Sequence, residues 1–122
     1  MQVESLEEIY ADKIVAFALR SNRIKYRDLW DILWLHQKEI KPRFKLIPKK
    51  LEDRNCKIEQ FLNLFNERLS RLTENKEIQL EFKQEMRRFL SIAQINQIVE
   101  QDNLWGFITY LMKDLGRQIS FG

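Results

Sequence analysis

The sequence predicts a mainly α-helical protein, an antiparallel array of about five or six helices with room for one short N-terminal strand. Three observations favour this fold class. The 122 residues include three Gly and two Pro, so few residues interrupt helices. Hydrophobic residues make up 44% and charged residues 32%, which is typical of a chain that folds. The length suits one domain, so we treat residues 1–122 as a single helical domain.

The N-terminal elements are placed by alternation and by capping residues. Val3–Leu6 alternates apolar and polar side chains, which is compatible with a short strand. Ser5 and Glu8 have the spacing of a capping box, in which each residue satisfies a backbone N–H of the other. We therefore expect the first helix to begin near Ser5 and to end near Asn22.

The later helices are placed by apolar stripes and by the breaks between them. Pro42 and Pro48 bracket a connection, because proline disfavours helix in the residue before it. Thr73–Lys76 indicates a short break, and Asp102 with Trp105 indicates a cap before the last helix. The predicted helices are Tyr26–Lys38, Lys49–Leu72, Glu77–Leu90 and two within Ile92–Ile119, broken near Asp102.

The composition excludes several classes of site. The first glycine is Gly106, so neither a P-loop nor a glycine-rich dinucleotide fingerprint is present. One His and one Cys exclude a zinc site built by this chain alone and a disulfide framework. They also exclude a Cys/His triad with a second histidine to orient it.

The sequence indicates a cytoplasmic protein with no membrane partner. Ile14–Leu19 is the longest apolar run, far shorter than the ~20 residues of a bilayer span. A lone Cys56 fits a reducing compartment. The N-terminus has the wrong charge for a signal peptide, because it carries the acidic residues Glu4, Glu7, Glu8 and Asp12.

Four charged residues interrupt the apolar faces of the first two helices. Lys13 falls in the middle of the apolar arc of the first helix, and Arg20 lies on the same side two turns on. The second helix is apolar almost all round except for Asp28 and Asp31, three residues apart on one face. Buried carboxylates need a cation, a metal ion or hydrogen-bond donors.

Three explanations of this pattern stay open at the level of the sequence. Lys13 and Arg20 form structural ion pairs with Asp28 and Asp31 across two antiparallel helices, or the four residues face a phosphate or nucleotide. In the third explanation the lysine reaches solvent along its stem. The first two explanations predict the same proximity, so proximity alone does not choose between them.

At these residues the chain resembles a known family, the AbiEii/AbiGii toxin nucleotidyltransferases. SLEEIYADKIVAFALR followed by IKYRDLWDILWL is similar to the third and fourth motifs of that family. The resemblance covers about Val3 to Leu35 and agrees in order and spacing. The matching residues are Ser5, Glu7, Glu8, Ala11, Lys13, Ala16, Arg20, Lys25, Arg27, Asp28 and Asp31.

The resemblance implies a fold related to polymerase-β-like nucleotidyltransferases and a toxin of a bacterial toxin–antitoxin or abortive-infection system. It implies that Lys13 contacts nucleotide phosphates, with Arg20 also on the nucleotide side. It implies that Asp28 is the late essential aspartate of the catalytic site, with Asp31 as its neighbour. The cofactors implied for the family are a nucleoside triphosphate and Mg²⁺.

The chain also departs from the family pattern. The family's nucleotide-binding turn and its D-x-D-like metal pair belong to an N-terminal half, and neither motif occurs here. Phosphoryl transfer with Mg²⁺ needs carboxylates that hold the metal against the phosphates. We therefore expect the C-terminal half of such a toxin, inactive alone and binding neither Mg²⁺ nor nucleotide tightly. Its expected partners are the missing N-terminal half, a cognate antitoxin or a second copy that covers an apolar face near Leu6–Tyr10 and the second helix.

A basic segment offers an alternative function. Between Lys41 and Lys57 there are seven basic and two acidic residues, although the net charge of the chain is only +3. Such a segment suits a non-enzymatic module that binds RNA or a partner protein, or it is simply a solvated loop. Phe44 is its only aromatic residue, so base stacking has little support. The candidate contacts are Lys41, Arg43, Lys45, Lys49 and Lys50.

Overall fold

A computed structural model describes residues 5–20, 24–99 and 103–121. The described residues form helices and contain no strand, which confirms the predicted mainly α-helical class. Leu6 begins the first helix, while Val3 and Glu4 of the predicted strand lie outside the described residues. The helices are α1 (Leu6–Leu19), α2 (Tyr26–Gln37), α3 (Ile47–Asp53), α4 (Ile58–Glu74), α5 (Lys76–Phe89), α6 (Ile92–Gln94) and α7 (Leu104–Phe121). A 3₁₀ turn (Phe44–Leu46) precedes α3, and a π-helical turn (Ile95–Val99) follows α6.

Helix α1 lies at the centre of the array. It packs against α2, α3 and α4, and seven of its fourteen residues are buried. Helix α4 also packs against α5 and α7, and α5 contacts α2 as well. Each described helix is too short or too polar to cross a lipid bilayer.

The predicted helix Lys49–Leu72 is wrong, because the chain forms α3 and α4 with a break between them. Asn55 adopts a left-handed backbone with φ of 54°. The N–H of Cys56 donates to the carbonyl of Leu51 at 2.9 Å, and the N–H of Asn55 donates to that of Glu52 at 3.0 Å. This pair of bonds is the Schellman ending of a helix, and asparagine tolerates the left-handed position better than most residues.

Helix α2 ends in the same way on a residue that favours this geometry less. Glu39 has φ of 61°, and its N–H donates to the carbonyl of His36 at 3.0 Å. The N–H of Ile40 donates to the carbonyl of Leu35 at 3.1 Å. Both helices therefore end on a left-handed residue other than glycine, because the sequence has no glycine before Gly106.

Other helix ends agree with the sequence or shift by a few residues. The Ser5 hydroxyl accepts from the N–H of Glu8 at 3.2 Å, as predicted, although the Glu8 carboxylate points to Lys50 instead of completing the capping box. The predicted break at Thr73–Lys76 narrows to Asn75, whose side chain accepts from the N–H of Glu77 at 2.9 Å. Asp102, the predicted cap, lies outside the described residues.

Candidate functional site

The site lies in the seam between α1 and α2. The ammonium nitrogen of Lys13 is 2.9 Å from Oδ2 of Asp31 and 3.6 Å from Oδ1 of Asp28. The Asp28 side chain is 1% exposed, whereas those of Lys13 and Asp31 are 29% and 33% exposed. The lysine therefore binds a buried carboxylate and a partly exposed one at the same time, and its own side chain is partly exposed.

Arg20 holds the other side of the buried carboxylate. Its Nε donates to Oδ2 of Asp28 at 3.0 Å, and its Nη2 donates to Oδ1 at 3.4 Å. This two-point contact matches the planar guanidinium to the planar carboxylate. The hydrogen bond and the charge of Asp28 raise the pKa of Arg20 above its usual value, against a smaller effect of burial.

The helical geometry explains why these four residues meet. Lys13 and Arg20 lie seven residues apart, or two turns, on one face of α1. Asp28 and Asp31 lie three apart on one face of α2. Since the helices run antiparallel, the later residue of α1 meets the earlier residue of α2, and Arg20 pairs with Asp28 while Lys13 reaches Asp31. Asp28 also stands in the first turn of α2, where the helix dipole stabilises a negative charge.

The structure thus contains the ion pairs that two of the three sequence explanations predicted. The third explanation holds in part, because the Lys13 side chain keeps 29% of its surface exposed. The structural ion pair and the phosphate-facing site share this geometry. Exposure distinguishes the two residues, since the Lys13 side chain is partly open to a ligand and the Asp28 side chain is not.

Arg68 also belongs to this region, although the sequence pattern did not single it out. The residue lies on α4 and is 8% exposed. Its Nη1 donates to the carbonyl of Phe17 at 2.8 Å, and its Nη2 donates to the carbonyl of Arg20. Burial lowers the pKa of Arg68, as does the charge of Arg71, while Glu67 opposes them. Its spacing from Phe61, Phe65 and Leu72 was the available signal, because a helix carrying these residues at a buried face also buries position 68.

The basic segment separates into one engaged lysine and six exposed bases. Lys50 is 2.7 Å from Asp12 and 3.4 Å from Glu8, with 16% of its side chain exposed, so it ties α3 to α1. Because Lys50 is engaged by two carboxylates, it is poorly placed as a nucleic-acid contact. The others are exposed and form no ion pair within the described ranges; they are Lys41, Arg43, Lys45, Lys49, Arg54 and Lys57.

The predicted apolar face at the N-terminus is smaller than expected. Leu6 is 42% exposed and Trp34 on α2 is 43% exposed, but Tyr10 is 1% exposed and belongs to the core. Burial, together with the charge of Asp114, raises the pKa of Tyr10 to about 12. Packing of α1 against three other helices accounts for the burial of Tyr10.

A cleft of about 570 Å³ opens elsewhere, between the start of α2 and the facing parts of α4 and α5. Its lining includes the motif residue Lys25 but neither Lys13 nor Asp28. Two of its arginines already have acidic partners, because Arg71 is 2.8 Å from Glu67 and Arg88 is 3.8 Å from Glu85. We place the candidate site in the seam, because the cleft contains neither Lys13 nor Asp28.

The described residues do not fit a metal ion by themselves. Nowhere in residues 5–20, 24–99 and 103–121 do three His, Cys, Asp or Glu side chains cluster as a metal site would require. Asp28 and Asp31 are two carboxylates, and both are neutralised by Lys13 and Arg20. We therefore assign no step to a metal on these residues alone.

Comparison with known proteins identifies the family of this chain. Searches of the curated proteins and of the solved structures gave no match. A family profile described as "Nucleotidyl transferase AbiEii toxin, Type IV TA system" matches residues 1–106. This range includes all four charged residues of the seam, which are Lys13, Arg20, Asp28 and Asp31. The chain belongs to the AbiEii family of nucleotidyl transferase toxins.

Proposed function

We propose that this chain supplies the lysine- and aspartate-bearing wall of the nucleotide site in an AbiEii-type nucleotidyl transferase, with a role in a toxin–antitoxin system. Family membership supports the coarser statement, a function related to toxin–antitoxin systems with a cognate antitoxin as partner. The single observation that carries the proposal is the Lys13 ammonium, held 2.9 Å from Asp31 on a side chain that is 29% exposed.

Lys13 would act by exchanging one oxygen ligand for another. In the free protein its ammonium neutralises Asp31, a carboxylate that is 33% exposed and so tolerates losing its partner. A triphosphate oxygen makes the same charge-assisted hydrogen bond, because a lysine binds phosphate as a point charge. Arg20 lies next to it and is 42% exposed, so it is available as a second basic contact.

Asp28 would position the two basic side chains of the site. Its carboxylate is buried, and contacts from Arg20 and Lys13 hold it in one orientation. In this position Asp28 keeps its contact with the Lys13 ammonium when the Lys13–Asp31 ion pair breaks. Because a ligand does not reach it, Asp28 acts on a substrate only through the orientation that it gives to Lys13 and Arg20.

We further propose that the chain is the C-terminal half of such an enzyme and does not catalyse transfer alone. The four-member cluster of Lys13, Arg20, Asp28 and Asp31 carries no formal net charge, so it attracts a triphosphate only modestly. A nucleotide and its Mg²⁺ would therefore bind weakly until a second set of ligands, supplied by an N-terminal nucleotidyl transferase domain, closes over the seam.

The test is a titration of each nucleoside triphosphate with Mg²⁺ into the wild type and Lys13→Ala, by calorimetry. Both proteins are measured alone and with the N-terminal domain of an AbiEii-family enzyme supplied in trans. Lys113→Ala is the matched control, because Lys113 is an exposed lysine on α7. We expect weak binding alone and tighter binding with the added domain, reduced about tenfold or more by Lys13→Ala and unchanged by Lys113→Ala. Equal binding by wild type and Lys13→Ala in both settings would overturn the proposal.

The six exposed bases support a second candidate function, RNA binding through residues 41–57. Lys45 and Lys49 are four residues apart and exposed, and neither has an acidic partner within the described part of the chain. Such unpaired cations release counterions when they contact a phosphate backbone, so binding should weaken as salt rises.

This second candidate is tested by RNA binding across a salt series. The double variant Lys45→Glu/Lys49→Glu should weaken binding and flatten its salt dependence. The matched control, Lys76→Glu/Lys113→Glu, makes the same charge change at exposed lysines on α5 and α7 and should behave closer to the wild type. Absence of RNA binding at low salt, or equal losses in both double variants, removes the candidate.

A further inference from the structure

Arg68 carries a positive charge into the interior of the array. It lies on α4 between Phe65 and Leu72, and 8% of its surface is exposed. Arginine stays protonated in proteins, so its guanidinium needs acceptors wherever it is buried. A leucine at this position would pack on the same apolar face at lower cost, which makes the contacts of Arg68 informative.

Those contacts lie at the C-terminal end of α1. Arg68 donates to the carbonyl of Phe17 at 2.8 Å and to the carbonyl of Arg20. The last carbonyls of a helix have no partner within the helix, and basic side chains stabilise them. The last turn of α1 contains no basic residue of its own, so α4 provides one from outside.

The second carbonyl belongs to the residue that holds Asp28. At Arg20 the chain leaves the helix, with φ of −59° and ψ of 134°. The guanidinium of Arg68 fixes the main chain at the point where the Arg20 side chain begins, and that side chain makes the two-point contact with Asp28. The contacts therefore form a continuous series from α4 through Arg20 to the buried carboxylate.

We infer that Arg68 is a positioning residue of the seam site, which fixes Arg20 so that its guanidinium holds the Asp28 carboxylate toward Lys13. The assignment of the seam as a nucleotide site rests on the proposed function, whereas the link from Arg68 to Arg20 does not. A merely structural role would be different: Arg68 would join α4 to α1 and stabilise the fold without affecting the Arg20 side chain.

The experiment follows the Arg20 Nε–H resonance by NMR in the folded protein, with assignment by Arg20→Lys. Hydrogen exchange at this proton reports how firmly Arg20 is held on Asp28. Arg68→Met removes both carbonyl contacts, and Arg68→Lys restores a cation that reaches one of them. Arg71→Met is the matched control, because Arg71 lies one turn on, is 50% exposed and pairs with Glu67 on its own helix.

We expect Arg68→Met to speed Arg20 Nε–H exchange by about tenfold, Arg68→Lys to recover part of the protection and Arg71→Met to leave it unchanged. Urea unfolding of each variant gives its stability, and Arg68→Lys keeps the test informative should Arg68→Met fail to fold. If Arg68→Met and Arg68→Lys lose stability while Arg20 exchanges as in the wild type, Arg68 is only a tie between helices and the inference is overturned.

A second readout separates this inference from the proposed function. Under the conditions in which the wild type binds nucleotide through Lys13, Arg68→Met should raise the nucleotide Kd more than Arg71→Met does. Should nucleotide binding prove independent of Lys13, the proposed function fails, and the Arg20 exchange rates still decide whether Arg68 positions Arg20.

Discussion

Arg20 and Asp28 form a two-point ion pair in which the two partners differ sharply in exposure. The Asp28 side chain is 1% exposed and that of Arg20 is 42% exposed, with Nε 3.0 Å from Oδ2. The buried member of the cluster is thus the anion, and the cations reach it from the edge of the seam. This asymmetry determines which substitutions should harm the protein most.

We predict that Arg20→Met destabilises the protein more than Asp28→Asn. Removal of Arg20 leaves a buried carboxylate with only the Lys13 ammonium at 3.6 Å, and a partly uncompensated buried charge costs on the order of 3 kcal/mol. Asp28→Asn instead leaves two cations that are exposed enough to be solvated, which should cost about 1 kcal/mol.

Urea unfolding at pH 7 measures both variants. Arg117→Met, an exposed arginine 3.8 Å from Asp114 on its own helix, is the control and should stay within about 0.5 kcal/mol of the wild type. A larger loss of unfolding free energy in Asp28→Asn than in Arg20→Met would contradict the prediction. It would show that an unpaired cation in the seam is less favourable than an unpaired Asp28.

Lys50 gives a second prediction, on stability and its alkaline pH dependence. Burial opposes the charge of Lys50, but the hydrogen bonds and charges of Asp12 and Glu8 raise its pKa above the usual 10.5. A raised pKa means that the stabilisation is complete below pH 10.5 and is lost as pH rises through the folded-state pKa. Lys50→Met should therefore lose about 1 kcal/mol at pH 7, and its difference from the wild type should shrink above pH 10.5.

The neighbouring lysine controls for this effect. Lys49 is exposed and has no acidic partner within the described ranges, so Lys49→Met should leave stability nearly unchanged at both pH values. Equal effects of the two substitutions would show that the link between α3 and α1 contributes nothing measurable.

The raised pKa of Tyr10 predicts a further loss of stability at alkaline pH. Its pKa is raised from 10.0 to about 12 by burial and by the charge of Asp114. Because the unfolded chain releases this proton first, unfolding becomes easier as pH rises from about 10 to 12, by roughly 2–3 kcal/mol in total. Tyr10→Phe should flatten this part of the stability curve.

Tyr110→Phe is the matched control, because Tyr110 is 62% exposed on α7. Denaturant unfolding at several pH values between 9 and 12 compares the three proteins. A curve for Tyr10→Phe that runs parallel to that of the wild type would contradict the prediction.

Two glycines of α7 should respond in opposite directions to alanine. A Cβ on Gly116 would lie 2.9 Å from Cε1 of Phe65, a fully buried ring packed at 5.3 Å against Phe17. Gly116→Ala should therefore cost about 1–3 kcal/mol by overpacking. Gly106 has nothing within 4 Å of such a Cβ, so Gly106→Ala should gain about 0.5–1 kcal/mol from helix propensity. Thermal unfolding distinguishes the two, and a gain in both would mean that α7 shifts away from α4 without cost.

The sequence predicted the limits of those helices whose ends are set by residues next to them in the chain. Tyr26–Gln37 and Lys76–Phe89 agree with the predicted limits within one residue. The break between α3 and α4 was missed, because residues 52–57 contain neither proline nor glycine and the left-handed backbone at Asn55 leaves only an asparagine as its signal. Glu39 gave no such signal, since glutamate is unusual at that position.

The seam was predictable to the extent that helical periodicity fixes which residues share a face. Spacing placed Lys13 with Arg20, and Asp28 with Asp31, before any packing was known. The spacing of Arg68 from Phe65 and Leu72 indicates its burial, but its contacts were not predictable. Its acceptors are carbonyl groups 48 and 51 residues away in sequence, which no side-chain pattern reveals. The exposure of each of the four side chains depends on tertiary packing, so the sequence did not reveal that Asp28 is the buried one.

The most direct test of the account is NMR of the Lys13 ammonium itself, recorded at low temperature and mildly acidic pH in protein with ¹⁵N-labelled lysine. Free lysine ammonium protons exchange too fast to be observed, whereas a paired ammonium gives a resolved signal. We predict such signals for Lys13 and for Lys50, which is paired with Asp12 and Glu8. The Lys13 signal should disappear in Lys13→Arg, broaden in Asp31→Asn and persist in Lys50→Met. Absence of a Lys13 signal, or a signal that Asp31→Asn leaves unchanged, would contradict the placement of this ammonium between Asp28 and Asp31.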